Sequence, residues 1–341
     1  MALTSVALIA AAVFLYARLG ESGFAWTRFV AVLRELRYEW LVAALFLIVA
    51  AYAIRAVRWH IMIRPLAPQA SLWQLVTSTF IGFTAVVLFG RAGEPVRPYL
   101  IARKLNLSFS SQVAAWLVER ILDLLMILAL FGLSLAQVSD VGWAPDSRLH
   151  VGLKVGGWVA GLSGLGCLAA LVALRRYRGQ IRTRLEDALA FLPEGPLNKV
   201  RGFIHAFDEG MQSTRDPASV WMLVIWTMVE WALVGGVYVT TVRAFPEIHL
   251  SPTEVFTTMG FVTFAGVVQI PGVGGGMQIA ALLVLTEMYG VPIENASGLA
   301  LMLWVMSFLV AVPFGLVFAF REGIHWRTMR HVGEDNLDKL T

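Results

Sequence analysis

Charge is scarce in this sequence: 15% of its 341 residues are Asp, Glu, Lys or Arg, against 58% hydrophobic residues and a mean hydropathy of +0.70. That balance is far from the soluble average, so an integral membrane protein is expected and a nucleic-acid partner is not. Cysteine is nearly missing. The single Cys167 excludes an intrachain disulfide and leaves the redox compartment open. Six histidines are scattered, none forming an HxxxH or HExxH pair, so no metal site is expected. No Lys-Ser/Thr follows any of the glycine clusters, which removes the P-loop and, with it, an ATP-driven pump. No cofactor is implied.

What is present is a set of apolar runs, Leu3 to Tyr16, Trp40 to Val57, Val113 to Val138, Val151 to Leu174, Val220 to Val242 and Ala296 to Phe320. A helix needs on the order of 20 apolar residues to cross a bilayer, and none of these runs alternates as a barrel strand would. An all-α polytopic protein with about six full transmembrane helices is expected. The first run has no basic residues before it and no clear cleavage site, so it reads as a retained helix. Orientation follows the Lys and Arg residues at helix ends. They are densest between Arg175 and Arg215, which assigns that linker and the tail 321–341 to the cytoplasmic side of a prokaryotic membrane. Within the linker Leu197, Val200, Phe203, Ile204, Phe207 and Met211 recur at helical spacing, as in an amphipathic helix lying on the inner surface or a packed connecting helix.

Working back from the linker, Arg97, Arg103 and Lys104 also fall inside, yet so do Arg55, Arg58 and Arg64 on the other side of Leu72 to Gly90. Both basic clusters stay on one side if Leu72 to Gly90 enters, breaks at "GRAGEP" and returns through Val96 to Leu105. That is a re-entrant helical hairpin. Its corollary is that Arg28, Arg34 and Arg37 lie outside, on an interfacial helix marked by Trp26, Phe29, Val30, Leu33 and Leu36. The segment "FVTFAGVVQIPGVG" from Phe261 repeats the texture of "FIGFTAVVLFGRAG" from Phe80 at one constant offset, with Phe83 matching Phe264 and Gly93 matching Gly274. Broken at "PGVGGG", it should dip in from the opposite side. The expected division is 1–38, an N-terminal and an interfacial helix; 39–138, a first helix-hairpin-helix repeat; 139–218, a helix and basic linker; 219–320, a second, inverted repeat; and 321–341, a tail. Inverted repeats interrupted by Gly and Pro at corresponding places point to a transporter with its site near the bilayer midplane.

Broken backbone at membrane depth persists only where protein or a water-filled cavity satisfies it. Gly274, Gly275 and Gly276 would leave amides bare at the start of a helix Met277 to Tyr289, and Pro95 suits the start of a second inward-pointing helix. With Arg91 and Arg97 these favour an anion; the plainer explanation is that the glycines only let helices pack closely. Charges inside spans cost a few kcal/mol unless paired or wet. In "WLVERILDLLM" Glu119 and Asp123 share a helical face and Arg120 is three residues from Asp123, so local pairing is available. Glu230 lies mid-span without a local partner, and Glu287 sits in the second half of the second hairpin. The candidate substrate-binding set is therefore Arg91, Glu94, Arg97, Glu119, Arg120, Asp123, Glu230, Gln269, Gly274, Gly275, Gly276 and Gln278. For the buried charges the competing role is an interhelical salt bridge; for Gln269 and Gln278 it is bonding to the tip backbone.

"RAVRW" at Arg55 to Trp59, "GRAGEPVRPYLI" at Gly90 to Ile101, "ERILD" at Glu119 to Asp123 and "QIPGVGGGMQIAALLVL" at Gln269 to Leu285 occur in an order that resembles the flippase-like transmembrane family. That family includes the membrane domain of lysylphosphatidylglycerol synthases. The similarity implies movement of a lipid or lipid-linked head group between leaflets, with anionic lipids and lipid- or glycan-synthesis enzymes as partners. In this chain Gln278 stands where the family usually carries a Glu, which weakens a proton-linked or cation-binding role there. No soluble aminoacyl-transferase domain follows Phe320, which argues against lipid aminoacylation by this chain. Two other functions fit less well: an accessory protein that transports nothing, and a membrane lipid transferase, for which the loop around Asp140, Asp146 and His150 supplies few groups.

Overall fold

The computed structural model describes residues 24–137, 155, 157–166, 217–266, 269–270 and 274–323. The first apolar run, the basic linker with Cys167, the loop 139–150 and the tail beyond residue 323 lie outside them. The described chain is helical almost throughout. Its elements are α1 (Trp26–Arg34), α2 (Tyr38–Ile63), α3 (Leu72–Phe89), a 3-10 turn (Gly90–Gly93), α4 (Val96–Leu105) and α5 (Phe109–Gln137), then α6 (Pro217–Arg243), α7 (Pro252–Ala265), α8 (Gly276–Leu283), a π-turn (Val284–Met288) and α9 (Ile293–Arg321). Residues 157–166 form a further helical stretch.

Four of the described helices, in α2, α3 with its turn, α6 and α9, are long and apolar enough to cross a membrane. Three of the six expected spans, α2, α6 and α9, are among these four, and the fourth is α3, expected as a re-entrant arm. Of the other three, the Leu3 to Tyr16 run lies outside the described residues, Val151 to Leu174 is described only at 155 and 157–166, and α5, 29 residues long, carries Glu119, Arg120 and Asp123 and is not among the four. Lipid-facing character is plain on the outer surfaces, where Phe46, Trp221, Ile225, Met228, Phe314, Val317 and Phe320 are exposed apolar side chains.

The tightest relationships are α2 against α6 and α3 against α9. Small residues make them close. A Cβ on Gly315 of α9 would strike Thr84 Oγ1 and the Phe80 carbonyl of α3, and Thr84 Oγ1 donates to the Ala311 carbonyl at 2.6 Å. Gly132 of α5 meets Gly161 of the 157–166 stretch in the same way, and Gly260 of α7 admits the Phe131 ring. In lipid, where apolar surface supplies little drive for helices to associate, such close approach is a main source of attraction.

α3 and α4 fold back on one another as an antiparallel hairpin. Gly93 packs on the Ala85–Val86 backbone, Gly82 on Arg97, and the Lys104 ammonium reaches Thr77 Oγ1 at 3.0 Å and Ser78 Oγ at 2.9 Å. Gly90, at φ 63°, takes the left-handed backbone that ends α3, and Pro95 caps α4. Lys104 also pairs with Glu322, just past the end of α9, at 2.6 Å. Burial lowers the Lys104 ammonium pKa, and Glu322 opposes that shift.

The second hairpin, α7 with α8 and the π-turn, opens at the other end of α9. Its last residues run through Gly290 and Pro292 into Ile293, while Asn295 donates to Glu247 at 2.8 Å and Glu294 accepts from the Ala25 amide at 3.0 Å. The expected helix Met277 to Tyr289 thus starts one residue earlier and widens into a π-turn after Leu283. The two hairpins approach from opposite ends of α9 and meet: strand Gln269–Ile270, paired antiparallel with Gly274–Gly275, lies against the Gly90–Gly93 turn.

Candidate functional site

Where the tips meet, the depth can be read from α9. Thr84 faces Ala311, and seven residues further on Arg91 lines the same cavity as Leu303 and Ser307, at the middle of the 29-residue helix. The cavity holds about 350 Å³ and is walled by Tyr52 and Arg55 from α2, Phe83 from α3, Arg120 from α5, Trp231 from α6 and Met277 from α8. The broken backbone at the level of mid-α9 thus borders a cavity that holds three arginines among apolar side chains.

Beside the cavity runs a network of buried charge. Arg58 is fully enclosed, and its Nη1 donates to Asp123 Oδ1 at 2.8 Å and to the Glu230 carboxylate, while Arg55 Nε lies 2.7 Å from Glu230 Oε1. Glu230, expected to lack a local partner, therefore finds two on the neighbouring helix. Arg97 donates to Glu119 from α4 to α5, with its guanidinium 4.1 Å from the Trp59 ring centre. Arg120 stands at the rim, its side chain 38% exposed, 3.6 Å from Asp123 and 3.8 Å from Glu119. Four arginines face three carboxylates in this network, which leaves one net positive charge. That excess sits on the exposed side, with Arg120.

Of the expected residues, then, Arg97, Glu119, Arg120, Asp123 and Glu230 come together in one network. Arg91 and Glu94 pair with each other on the first tip at 2.5 Å, Arg91 half-exposed to the cavity. The glycines behave differently from expectation. The Gly275 amide is not bare, because it donates to Gln278 Oε1 at 2.7 Å, and Gly274 and Gly275 are engaged in strand pairing with Gln269 and Ile270. Gln278 thus holds the tip backbone, and Gly276 is the first residue of α8. Glu287 falls in the π-turn.

Arg55, Arg58, Trp59 and Tyr52 were not among the expected site residues. Their signal was legible: two arginines three apart inside an apolar span, in "RAVRW". Reading them as markers of the cytoplasmic end obscured it.

Residues 3–315 match the lysylphosphatidylglycerol synthase TM region family. The chain belongs to that family. With its four long apolar helices, this makes it an integral membrane protein. A stretch of 116 residues is 30% identical to the glycosyltransferase AglD of Haloferax volcanii, covering 34% of this chain and 19% of that protein. The matched stretch therefore spans about a fifth of that relative's length. No solved structure matches the chain.

Proposed function

We propose that this protein carries an anionic lipid or lipid-linked head group between membrane leaflets. The observation that supports it most is the meeting of two oppositely directed hairpin tips at the middle of α9, beside a cavity of about 350 Å³ bordered by Arg55, Arg91 and Arg120. Each hairpin is then re-entrant, the first from the cytoplasmic side marked by Arg64, Arg103, Lys104 and Arg321, the second from outside. The two units form an inverted repeat around a midplane site, the arrangement in which one unit rocks against the other. A phosphate entering the cavity meets the net positive charge of the network at the exposed Arg120, with the Arg91–Glu94 pair on the facing tip.

The experiment is leaflet-resolved movement of labelled phosphatidylglycerol and phosphatidylcholine in proteoliposomes. Protein-dependent movement of the anionic lipid, lost in an Arg91→Ala, Arg120→Ala double variant, is expected. Equal movement by wild type and variant would remove the assignment of these residues. No movement of either lipid would turn attention to a second role, in lipid-linked glycan synthesis, as an accessory or as an enzyme. What favours that second role is the similarity to a glycosyltransferase.

A further inference from the structure

On the opposite side of Arg120 from the main cavity, a narrow neck of about 60 Å³ is bounded by Phe83, Glu94, Arg97, Trp116 and Arg120. Beyond the neck, between α4 and α5, lies a groove of about 320 Å³ walled by Pro95, Pro98, Phe109, Val113 and Trp116, with Glu94 at its inner end. The three spaces adjoin one another, sharing wall residues. Phe83 and Arg120 belong to both cavity and neck, and Glu94 and Trp116 to both neck and groove.

The polarity changes along this path in one direction. Three arginines stand among apolar side chains in the cavity, whereas the groove is bordered by two prolines, a phenylalanine, a valine and a tryptophan, with Ser110 and Glu94 its polar residues. The neck, about 60 Å³, stands between the cavity that holds the arginines and the apolar groove. The groove also has a fixed level. Its inner end, Glu94 and Pro95, is at the hairpin tip, and Phe109 at its outer end begins α5 just after Lys104 has met Glu322. It therefore spans the half of the bundle between mid-depth and the Lys104 end.

We infer that the α4–α5 groove holds one hydrocarbon chain of a membrane lipid while its head group lies toward Arg120 through the neck. This rests on the proposed transport function but goes beyond it, by giving the chain a bound place inside the protein and by naming the leaflet it comes from, the one at the Lys104 end. A lipid chain is the occupant that suits both ends of the path: apolar where the groove is apolar, and attached to an anion where Arg120 and Arg91 stand. Glu94, at the join, is already paired with Arg91, so a phosphate that took Arg91 would also release the carboxylate that narrows the neck.

The test uses the full-length protein in vesicles of phosphatidylglycerol carrying a diazirine at the end of one acyl chain. After photolysis, adducts are mapped by peptide mass spectrometry. Label on Phe109, Val113 or Trp116, reduced at least fivefold in Val113→Trp and retained in Val113→Leu, is expected. Label confined to lipid-exposed positions of α5 such as Ile121 and Leu124 would overturn the inference, because any membrane helix touches chains there. A disulfide-linked dimer formed by Val113→Cys in a Cys167→Ser background would also overturn it, since a second copy would then cover the groove. Photolabelling requires no transport, so it separates the two questions. Wild-type protein that moves no lipid but labels the groove refutes only the transport function; wild-type protein that moves the anionic lipid without groove label refutes only the groove.

Discussion

Arg58 Nη1 stands between Asp123, 2.8 Å away on α5, and the Glu230 carboxylate on α6, so one guanidinium ties three helices together with no access to solvent. Removing one partner of a buried ion pair leaves a charge without compensation, which costs about 3–5 kcal/mol. Arg58→Met should therefore lower thermal stability in detergent by that amount. Adding Asp123→Asn alone to the same chain should recover part of it, because Glu230 keeps Arg55 and Arg120 keeps Glu119, so the double variant leaves no carboxylate without a cation. A double variant as unstable as the sum of the separate losses would mean that Arg58 acts mainly by packing.

Two glycines, Gly93 in the first tip and Gly236 inside α6, should respond in opposite ways to alanine. At Gly93 a Cβ would drive into the Ala85 carbonyl across the hairpin, where backbone cannot yield. Overpacking of that kind costs about 1–3 kcal/mol. At Gly236 the nearest atom is Leu47 Cδ1 at 3.2 Å, the end of a flexible side chain. Alanine there gains the helix preference over glycine, about 0.5–1 kcal/mol. Melting curves of Gly93→Ala and Gly236→Ala should thus shift apart, the first down and the second level or up. A Gly93→Ala variant as stable as wild type would show that the hairpin arms are not held at this spacing.

The long elements were legible in the sequence because apolar length and helix-breakers report them directly: Leu72 to Gly90 and Val96 to Leu105 emerge as α3 and α4 with almost unchanged ends. The charged network was half legible. Glu119, Arg120 and Asp123 announce themselves as charges at helical spacing, but the partner of Glu230 lies 172 positions away, and Arg58 reaches it only through the packing of α2 on α6. The glycine tip misled for a related reason. Sequence shows that Gly274 to Gly276 can expose amides, but only the fold shows that Gln278 turns back to occupy one of them. Pairing across sequence distance, rather than residue type, separated what could be read from what could not.

Topology offers a sharper test. If α3 and α4 form a re-entrant hairpin, Ser71 and Arg103 lie on the same side of the membrane as Glu322, and Thr253 and Val291 on the other. In a Cys167→Ser background, single cysteines at these positions should divide three against two when labelled in sealed right-side-out vesicles with an impermeant maleimide. Ser71→Cys and Arg103→Cys reacting from opposite sides would mean that Leu72 to Gly90 spans the bilayer, and the inverted repeat would fail with it.

Finally, the two rim arginines of the network should separate by function. Arg55 pairs with Glu230 and its side chain is 17% exposed, whereas Arg120 is 38% exposed and sits at longer distances from its carboxylates. An exposed ion pair at such distances is worth about 0–1 kcal/mol, so Arg120→Gln should leave the melting temperature within a few degrees of wild type. If the network's surplus charge is what holds the head group, the same variant should slow movement of phosphatidylglycerol at least tenfold, whereas Arg55→Gln should lose stability first. Arg120→Lys restores the charge but not the planar fork that grips a phosphate through two parallel hydrogen bonds. It should recover part of the rate. An Arg120→Gln variant that is stable and moves the anionic lipid at the wild-type rate would take the head group away from this rim and leave the arginines as scaffold.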